Sequence, residues 1–150
     1  MVTDLRIEDD CLIFSGKRGY YNISLDTIDM FSKHFAKKMQ IMTSNGRIFV
    51  DTVDDEEYIK IRDLLLTDSR FLMIDDYVII NLDNLNTWKV GHSRMDLYNL
   101  DLKFFHTLGV IGSKEECEHM KSMIDNAMKS RIEEYQASTT MHDTSVESNL

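Results

Sequence analysis

The sequence lacks proline entirely and contains only two cysteines, Cys11 and Cys117. Without proline, tight turns depend on glycine, asparagine, aspartate and serine. The acidic N-terminus has no apolar signal-peptide core, so we expect the two cysteines to be free thiols rather than a disulfide. No apolar run approaches the roughly 20 residues that a membrane helix needs. We therefore expect a cytoplasmic protein, or one in the host cytoplasm if the chain is viral, that does not enter a membrane.

Motifs that carry catalysis or cofactor binding are also missing, among them GxSxG, GxGxxG, GxxxxGK[ST], HExxH and CxxC. Glu115, Cys117 and His119 lie close in sequence, but residues two apart on a helix point in different directions. We predict no catalytic residue, no metal site and no cofactor, and hence that the chain is not an enzyme. A small enzyme with an unrecognised cysteine or carboxylate site stays an alternative.

Positive charge is in short supply, because 17 lysine and arginine residues face 26 aspartate and glutamate residues, for a net charge of −9. This balance opposes general binding to the nucleic-acid backbone or to an anionic membrane. We therefore expect that the chain does not bind nucleic acid directly. The segment Gly16-Lys17-Arg18-Gly19 combines two basic residues with two glycines in one tight loop. We predict a hairpin turn there, with an anion-binding loop as the alternative.

What the sequence does contain is an internal repeat. The stretch YYNISLDTI at 20–28 returns as YVIINLDNL at 77–85, 57 positions later, and its matches alternate as in a half-buried strand. The helix starts at 54–57 and 113–116 also correspond. We predict an α+β fold of two tandem related units, 1–66 and 67–136. Each has antiparallel strands ending in an α-helix, the second helix is longer, and a disordered tail occupies 137–150.

Several local elements are predicted more sharply. Asn45-Gly46 predicts a hairpin between 39–43 and 47–52. Asp54 and Glu57 predict a capped helix near 54–66, and a second helix should run from Ser113 to about residue 136. The apolar stretch 77–82 predicts a strand buried on both faces. Asp26 and its repeat Asp83 are expected to bond their own downstream backbone in a turn.

Two family resemblances follow from these stretches. The unit CLIF, YYNISLDTI, MQIMT-SNG-RIFV and EEYIKIRDLL resembles bacterial pleckstrin-homology-type domains, which implies strands and an apolar turn before a C-terminal helix. RFLMIDDYVIINLDNLNTWKV is similar to a stretch of LytTR-type DNA-binding domains. In this chain Asp75 and Asp76 replace the basic residues that such a domain uses on DNA, and this departure opposes DNA binding.

The absence of a catalytic motif favours a non-enzymatic protein-binding or regulatory module, of the kind that viruses and mobile elements encode. Trp88, Phe31 and Tyr77 are the predicted interface residues, because exposed aromatic side chains are common interface anchors. The expected partner is a protein of unknown identity, with a homo-oligomer formed through the last helix as an alternative. The competing function is a nucleic-acid-linked regulator, either an acidic DNA mimic or a LytTR-like reader of DNA.

Overall fold

The structure is a computed structural model that describes residues 1–33, 38–51, 53–91, 94–100, 104–108 and 113–148, with side chains described outside 104–108 and 138–148. The helices are α1 (Asp55–Leu65) and α2 (Lys114–Ser148). Two 3-10 turns, Leu25–Thr27 and Leu82–Asn84, follow the third and eighth strands. The strands are β1 (Thr3–Glu8), β2 (Cys11–Gly16), β3 (Gly19–Ser24), β4 (Ile28–Lys33), β5 (Lys38–Thr43), β6 (Gly46–Asp51), β7 (Phe71–Asp75), β8 (Val78–Asn81), β9 (Leu85–Val90), β10 (Met95–Asn99) and β11 (Phe104–Leu108).

The strands form three antiparallel sheets. Their orders are β1-β2-β3, β11-β10-β9 and, in the central five-stranded sheet, β6-β5-β4-β8-β7. The predicted α+β class with antiparallel strands and two helices is confirmed. The tandem pleckstrin-homology-like arrangement is not confirmed, because β4, β5 and β6 of the first predicted unit share one sheet with β7 and β8 of the second.

The central sheet is covered on both faces, because neighbouring residues on its strands enter different apolar clusters. Phe31 and Ile79 belong to a cluster with β2, β3 and α1, whereas Met30 and Ile80 belong to one with β9, β10 and α2. Successive side chains of a strand point to opposite faces, so the outer sheets lie on opposite sides of the central one. All four residues of β8 are buried, which agrees with the predicted central strand.

The helices follow the predicted caps. In α1 the side chain of Asp54 accepts a hydrogen bond from the Glu57 backbone N–H, at 2.8 Å, and completes a capping box. Ser113 similarly accepts from the Glu116 backbone N–H, at 3.1 Å. The backbone of α2 is helical from Lys114 to Ser148, which extends past the predicted helix end near residue 136, and disorder of the tail 137–150 stays a prediction. No glycine or proline occurs after residue 112 to interrupt the helix. No described helix has the length and apolar character to cross a bilayer.

The two 3-10 turns contact each other and join the halves of the chain. The Asn84 side chain donates to the Asp26 carbonyl at 2.6 Å, and the Asn81 side chain donates to the Leu25 carbonyl at 3.3 Å. The prediction that Asp26 and Asp83 bond their own downstream backbone is wrong. Their carboxylates instead accept from arginine side chains that come from distant parts of the chain, Arg70 and Arg131.

Candidate nucleic-acid interface

The three predicted interface residues occupy different environments. Phe31 is fully buried and stacks on Tyr58, with ring centroids 4.9 Å apart. Trp88 is half-buried and its Nε1 donates to Asp125 at 2.8 Å. Tyr77 is 44% exposed. Phe31 therefore cannot reach a partner while the domain stays folded, since α1 covers it. Whether Trp88 and Tyr77 contact a partner stays a prediction.

Tyr58 shows how tightly α1 closes over that part of the core. Its ring contacts both Phe31 and Tyr77, and burial raises the pKa of its hydroxyl well above the usual range. Among the described residues, the buried Tyr58 hydroxyl has no hydrogen-bond partner. Phe31 and Tyr58 are consequently packing residues of the core, whereas Tyr77 keeps an exposed part of its side chain.

The basic turn between β2 and β3 adopts the predicted hairpin, with Gly16 paired to Gly19. Arg18 extends from this turn to β6, where its Nη1 lies 2.8 Å from Asp51 Oδ2. Lys38 Nζ lies 4.0 Å from the other oxygen of the same carboxylate. Two exposed cations thus share one aspartate at the end of β6, and the cluster keeps a positive charge.

One outward face of the hairpin β5–β6 continues from this cluster. The register pairs Lys38 with Asp51, Gln40 with Phe49 and Met42 with Arg47. The residues between them, such as Ile41 and Val50, point into the apolar core. The strip that this alternation leaves outward, here called the β5–β6 strip, consists of Lys38, Gln40, Arg47, Phe49 and Asp51.

Apart from Asp51 at its end, the β5–β6 strip lies in a basic stretch of the chain. Residues 11–50 contain six lysine or arginine residues and only Asp26 and Asp29 as acidic residues. Asp26 pairs with Arg70 at 2.7 Å. Asp29 is buried and accepts hydrogen bonds from two asparagine side chains. Neither carboxylate therefore neutralises the exposed cations of the β5–β6 strip, although the whole chain is acidic.

Sequence reasoning missed the strip, although part of its signal was present. Phe49 alternates with Ile48 and Val50, which places it on the opposite face of the strand from the core. The sequence does not reveal that β6 is an edge strand, which in the described part of the chain pairs with β5 alone. An outward residue of an interior strand would be covered by another layer, so this topology is what exposes Phe49.

Other surfaces show fewer features of a site. A groove of about 750 Å³ between α2 and the second 3-10 turn is lined by apolar and charged residues, including Leu100, Ile132 and Tyr135. Cys117 is buried on α2 while Glu115 and His119 are exposed, so these three do not converge. Among the described residues, no group of histidine, cysteine, aspartate and glutamate side chains is placed to hold a metal ion.

Comparison with known proteins identifies the fold. The sequence matches no protein-family model and no curated protein. The structure is similar to the LytTr DNA-binding domain of a protein from Bacillus cereus described as a methyl-accepting/DNA response regulator, with a TM-score of 0.52 and 10% identity. The match covers 78% of this chain and 98% of that domain. At this identity the likeness establishes a shared fold and nothing further.

This finding corrects one expectation from the sequence. We expected no direct binding of nucleic acid, because the net charge is −9 and Asp75 and Asp76 replace basic residues. A fold neighbour that is named for DNA binding contradicts that expectation. The physical reason is that net charge is a sum over the whole chain, whereas a ligand meets a local surface. The chain therefore shares its fold with a DNA-binding domain and carries a cationic strip on one sheet edge.

Proposed function

We propose that this chain is a DNA-binding regulatory module that contacts nucleic acid through the β5–β6 strip and the basic turn at Lys17 and Arg18. The observation that carries the proposal is the shared fold, which extends over 98% of a DNA-binding domain. It favours the LytTR-like alternative over the protein-binding module that the sequence first suggested. That the chain is not an enzyme stays a prediction.

The local charge supports this choice of surface. Nucleic acid is held chiefly by lysine and arginine contacts to phosphates, and Lys17, Arg18, Lys38 and Arg47 are all exposed. Among the described residues, no carboxylate forms an ion pair with Arg47. Gln40 adds a side-chain amide between the cations, which can donate and accept hydrogen bonds.

The acidic remainder of the chain limits this binding without abolishing it. Charges separated by more than about 8 Å are largely screened at physiological salt, so distant carboxylates act weakly on a phosphate at the strip. They repel DNA more strongly at low salt, where the screening length is greater. We therefore expect moderate affinity at physiological salt rather than the tight, general binding of a basic protein.

Titration of labelled DNA, single-stranded and duplex, by fluorescence anisotropy at several salt concentrations tests the proposal. The variant Arg18→Gln, Lys38→Gln, Arg47→Gln should lower the affinity at least about tenfold and reduce the slope of log affinity against log salt by about 2 to 3, since each phosphate contact contributes roughly 0.9. The control variant Lys60→Gln, Lys114→Gln, Lys129→Gln removes the same charge from the two helices.

The control variant should retain most of the affinity. Equal losses in both triple variants would show that overall charge, rather than the β5–β6 strip, sets the binding. Wild-type protein that binds neither form of DNA at any of these salt concentrations would overturn the proposed function. If that same protein displaced DNA from a DNA-binding partner, the acidic mimic would replace it.

A further inference from the structure

Phe49 is the most unusual member of the β5–β6 strip. Its side chain is 56% exposed although the residue lies within a strand. A single exposed apolar residue is common on protein surfaces. Phe49, however, lies directly opposite Gln40, two positions from the exposed Arg47 and two from the carboxylate that Arg18 and Lys38 share. An aromatic face bordered by cations and one amide is the arrangement that stacks a nucleobase while its phosphates are held.

Exposure rises along the rows that cross the central sheet toward β6. In one row Ser32 is fully buried, Gln40 is half-buried and Phe49 is exposed. The next row leads from the buried Met42 to the exposed Arg47. The layer of β9, β10 and α2 that packs on this face therefore covers β4 and ends at β5, and it leaves β6 open.

This step in the surface limits the shape of the ligand. Layers packed on a sheet lie about 10 Å above it. The exposed strand β6 therefore runs beside the edge of a covering layer of about that height. A β-ribbon that reads a duplex has to enter a major groove about 12 Å wide, and a covering layer beside the ribbon blocks that approach. A single strand is narrower and can lie along β6 with its bases turned toward the ring.

The cations are spaced to hold such a strand at both ends. Arg47 and Asp51 are four residues apart on β6, which corresponds to about 13 Å along an extended strand. Arg18 and Lys38 flank Asp51, and Phe49 lies midway between the two cationic ends. The strip can therefore fix the backbone of a short segment on either side of one stacked base.

From these features, and on the basis of the proposed function, we infer that the β5–β6 strip binds unpaired nucleotides in preference to duplex, with Phe49 as the stacking platform. The affinity comes from the ring and the cations together. The ring contributes a part that does not depend on salt, and the cations contribute the part that does.

Anisotropy titrations with a labelled oligothymidine and a duplex of equal length test the inference in wild type, Phe49→Ala, Phe49→Leu and the control Tyr135→Leu, which alters an exposed aromatic residue of α2. We expect tighter binding of the single strand by wild type. Phe49→Ala should lower that affinity about 5- to 100-fold without changing the salt slope. Phe49→Leu should lose most of the same factor, because it keeps an apolar side chain without a ring.

Ultraviolet cross-linking with peptide mapping supplies an independent measurement, and it should place the oligothymidine on the peptide that contains Phe49. Duplex binding equal to or tighter than single-strand binding would overturn the inference while the proposed function stands. The inference would likewise be overturned, with the proposed function intact, if Phe49→Ala and Tyr135→Leu both bound the single strand with the affinity of wild type. Absence of binding to either DNA would overturn the proposed function itself.

Discussion

Strands β5 and β10 occupy corresponding places in the order of elements, since each is the second strand after a 3-10 turn, yet the cations beside them have different partners. In β10, Met95 and Leu97 point inward as Met39 and Ile41 do in β5. Between them, Asp96 takes the place of Gln40 and lies opposite Lys89.

The outward cations of the second half are therefore partnered within the protein. Arg94 lies 3.6 Å from the carboxylate of Asp96, and Lys89 lies 5.4 Å from the centre of the Tyr98 ring. The outward cations of β5–β6 share only Asp51 among the described ion pairs. Similar backbone can thus carry either an internally neutralised face or a cationic one. The local pairing of charges, rather than the net charge of −9, indicates which face can hold an anion.

Substitution of Phe31 and of its counterpart Trp88 should give the largest difference between the two halves in the free energy of unfolding. Phe31 is fully buried against Tyr58, whereas Trp88 is half-buried and hydrogen-bonded to Asp125. Removing a buried aromatic ring costs about 3–5 kcal/mol. We expect Phe31→Ala to reach that range and Trp88→Ala about half of it, in the free energy of unfolding measured by urea denaturation.

Because Phe31→Ala removes much of a domain's usual stability, Phe31→Leu gives a safer measurement, with an expected loss of about 1–2 kcal/mol. Trp88→Phe serves as its counterpart, since it keeps an aromatic ring but loses the indole N–H that donates to Asp125 and part of the ring area. A larger loss for Trp88→Phe than for Phe31→Leu would show that the second half, rather than the first, carries the more tightly packed aromatic group.

The equivalence of Phe31 and Trp88 was predictable from the sequence, but their burial was not. The repeat of 57 positions aligns the two residues. Their exposure depends on what lies across the sheet: the Tyr58 ring in one case and the Asp125 carboxylate in the other. Local signals such as Asn45-Gly46 and the cap at Asp54 specified a hairpin and a helix correctly, because neighbouring residues determine them.

Contacts between residues that are far apart in the sequence could not be predicted in the same way. The central sheet pairs β4 with β8, which are about 50 residues apart, and no local pattern encodes that choice. Arg70 is another example, because its three carboxylate partners, Asp10, Asp26 and Asp68, come from separate turns. The candidate site depends on the same long-range topology, since it exists only where a covering layer ends.

The arginine that anchors each 3-10 turn gives the second comparison. The Arg70 side chain is 13% exposed, and the hydrogen bonds that it donates to Asp68 and Asp10 raise the pKa of its guanidinium above the usual value. Arg131 pairs with Asp83 at 2.7 Å but is more exposed. We expect Arg70→Met to lower the free energy of unfolding by about 2 kcal/mol and Arg131→Met by less than about 1 kcal/mol, by urea denaturation at pH 7.

The pH dependence of the free energy of unfolding provides a control for the effect of Arg70→Met. Burial raises the pKa of Asp68, but its hydrogen bonds with Arg70 lower that pKa by more, so the folded value lies below the unfolded one. The stabilisation is complete above the unfolded pKa of about 3.9 and is lost as pH falls through the folded value. The difference between wild type and Arg70→Met should therefore be constant from pH 7 to 5 and shrink below about pH 4. A difference that persists unchanged at pH 2 would contradict this account.

The two helix caps should give the smallest difference in the free energy of unfolding. Asp54 carries a charge at the start of α1 and forms a reciprocal pair with Glu57, whereas Ser113 offers an uncharged hydroxyl to α2. A carboxylate gains from the helix dipole as well as from the hydrogen bond. We expect Asp54→Ala to cost about 1 kcal/mol and Ser113→Ala about 0.5 kcal/mol, as shifts of the urea midpoint with an unchanged slope.

Asp54→Asn separates the two contributions at the first cap, because asparagine keeps the acceptor and removes the charge. It should recover more than half of the loss seen in Asp54→Ala, and raising the salt concentration should narrow the remaining gap. If Ser113→Ala proved costlier than Asp54→Ala, the start of the longer helix would be the more critical one. The comparison would then reverse, because the 35-residue α2 would depend on its cap more than the 11-residue α1 does.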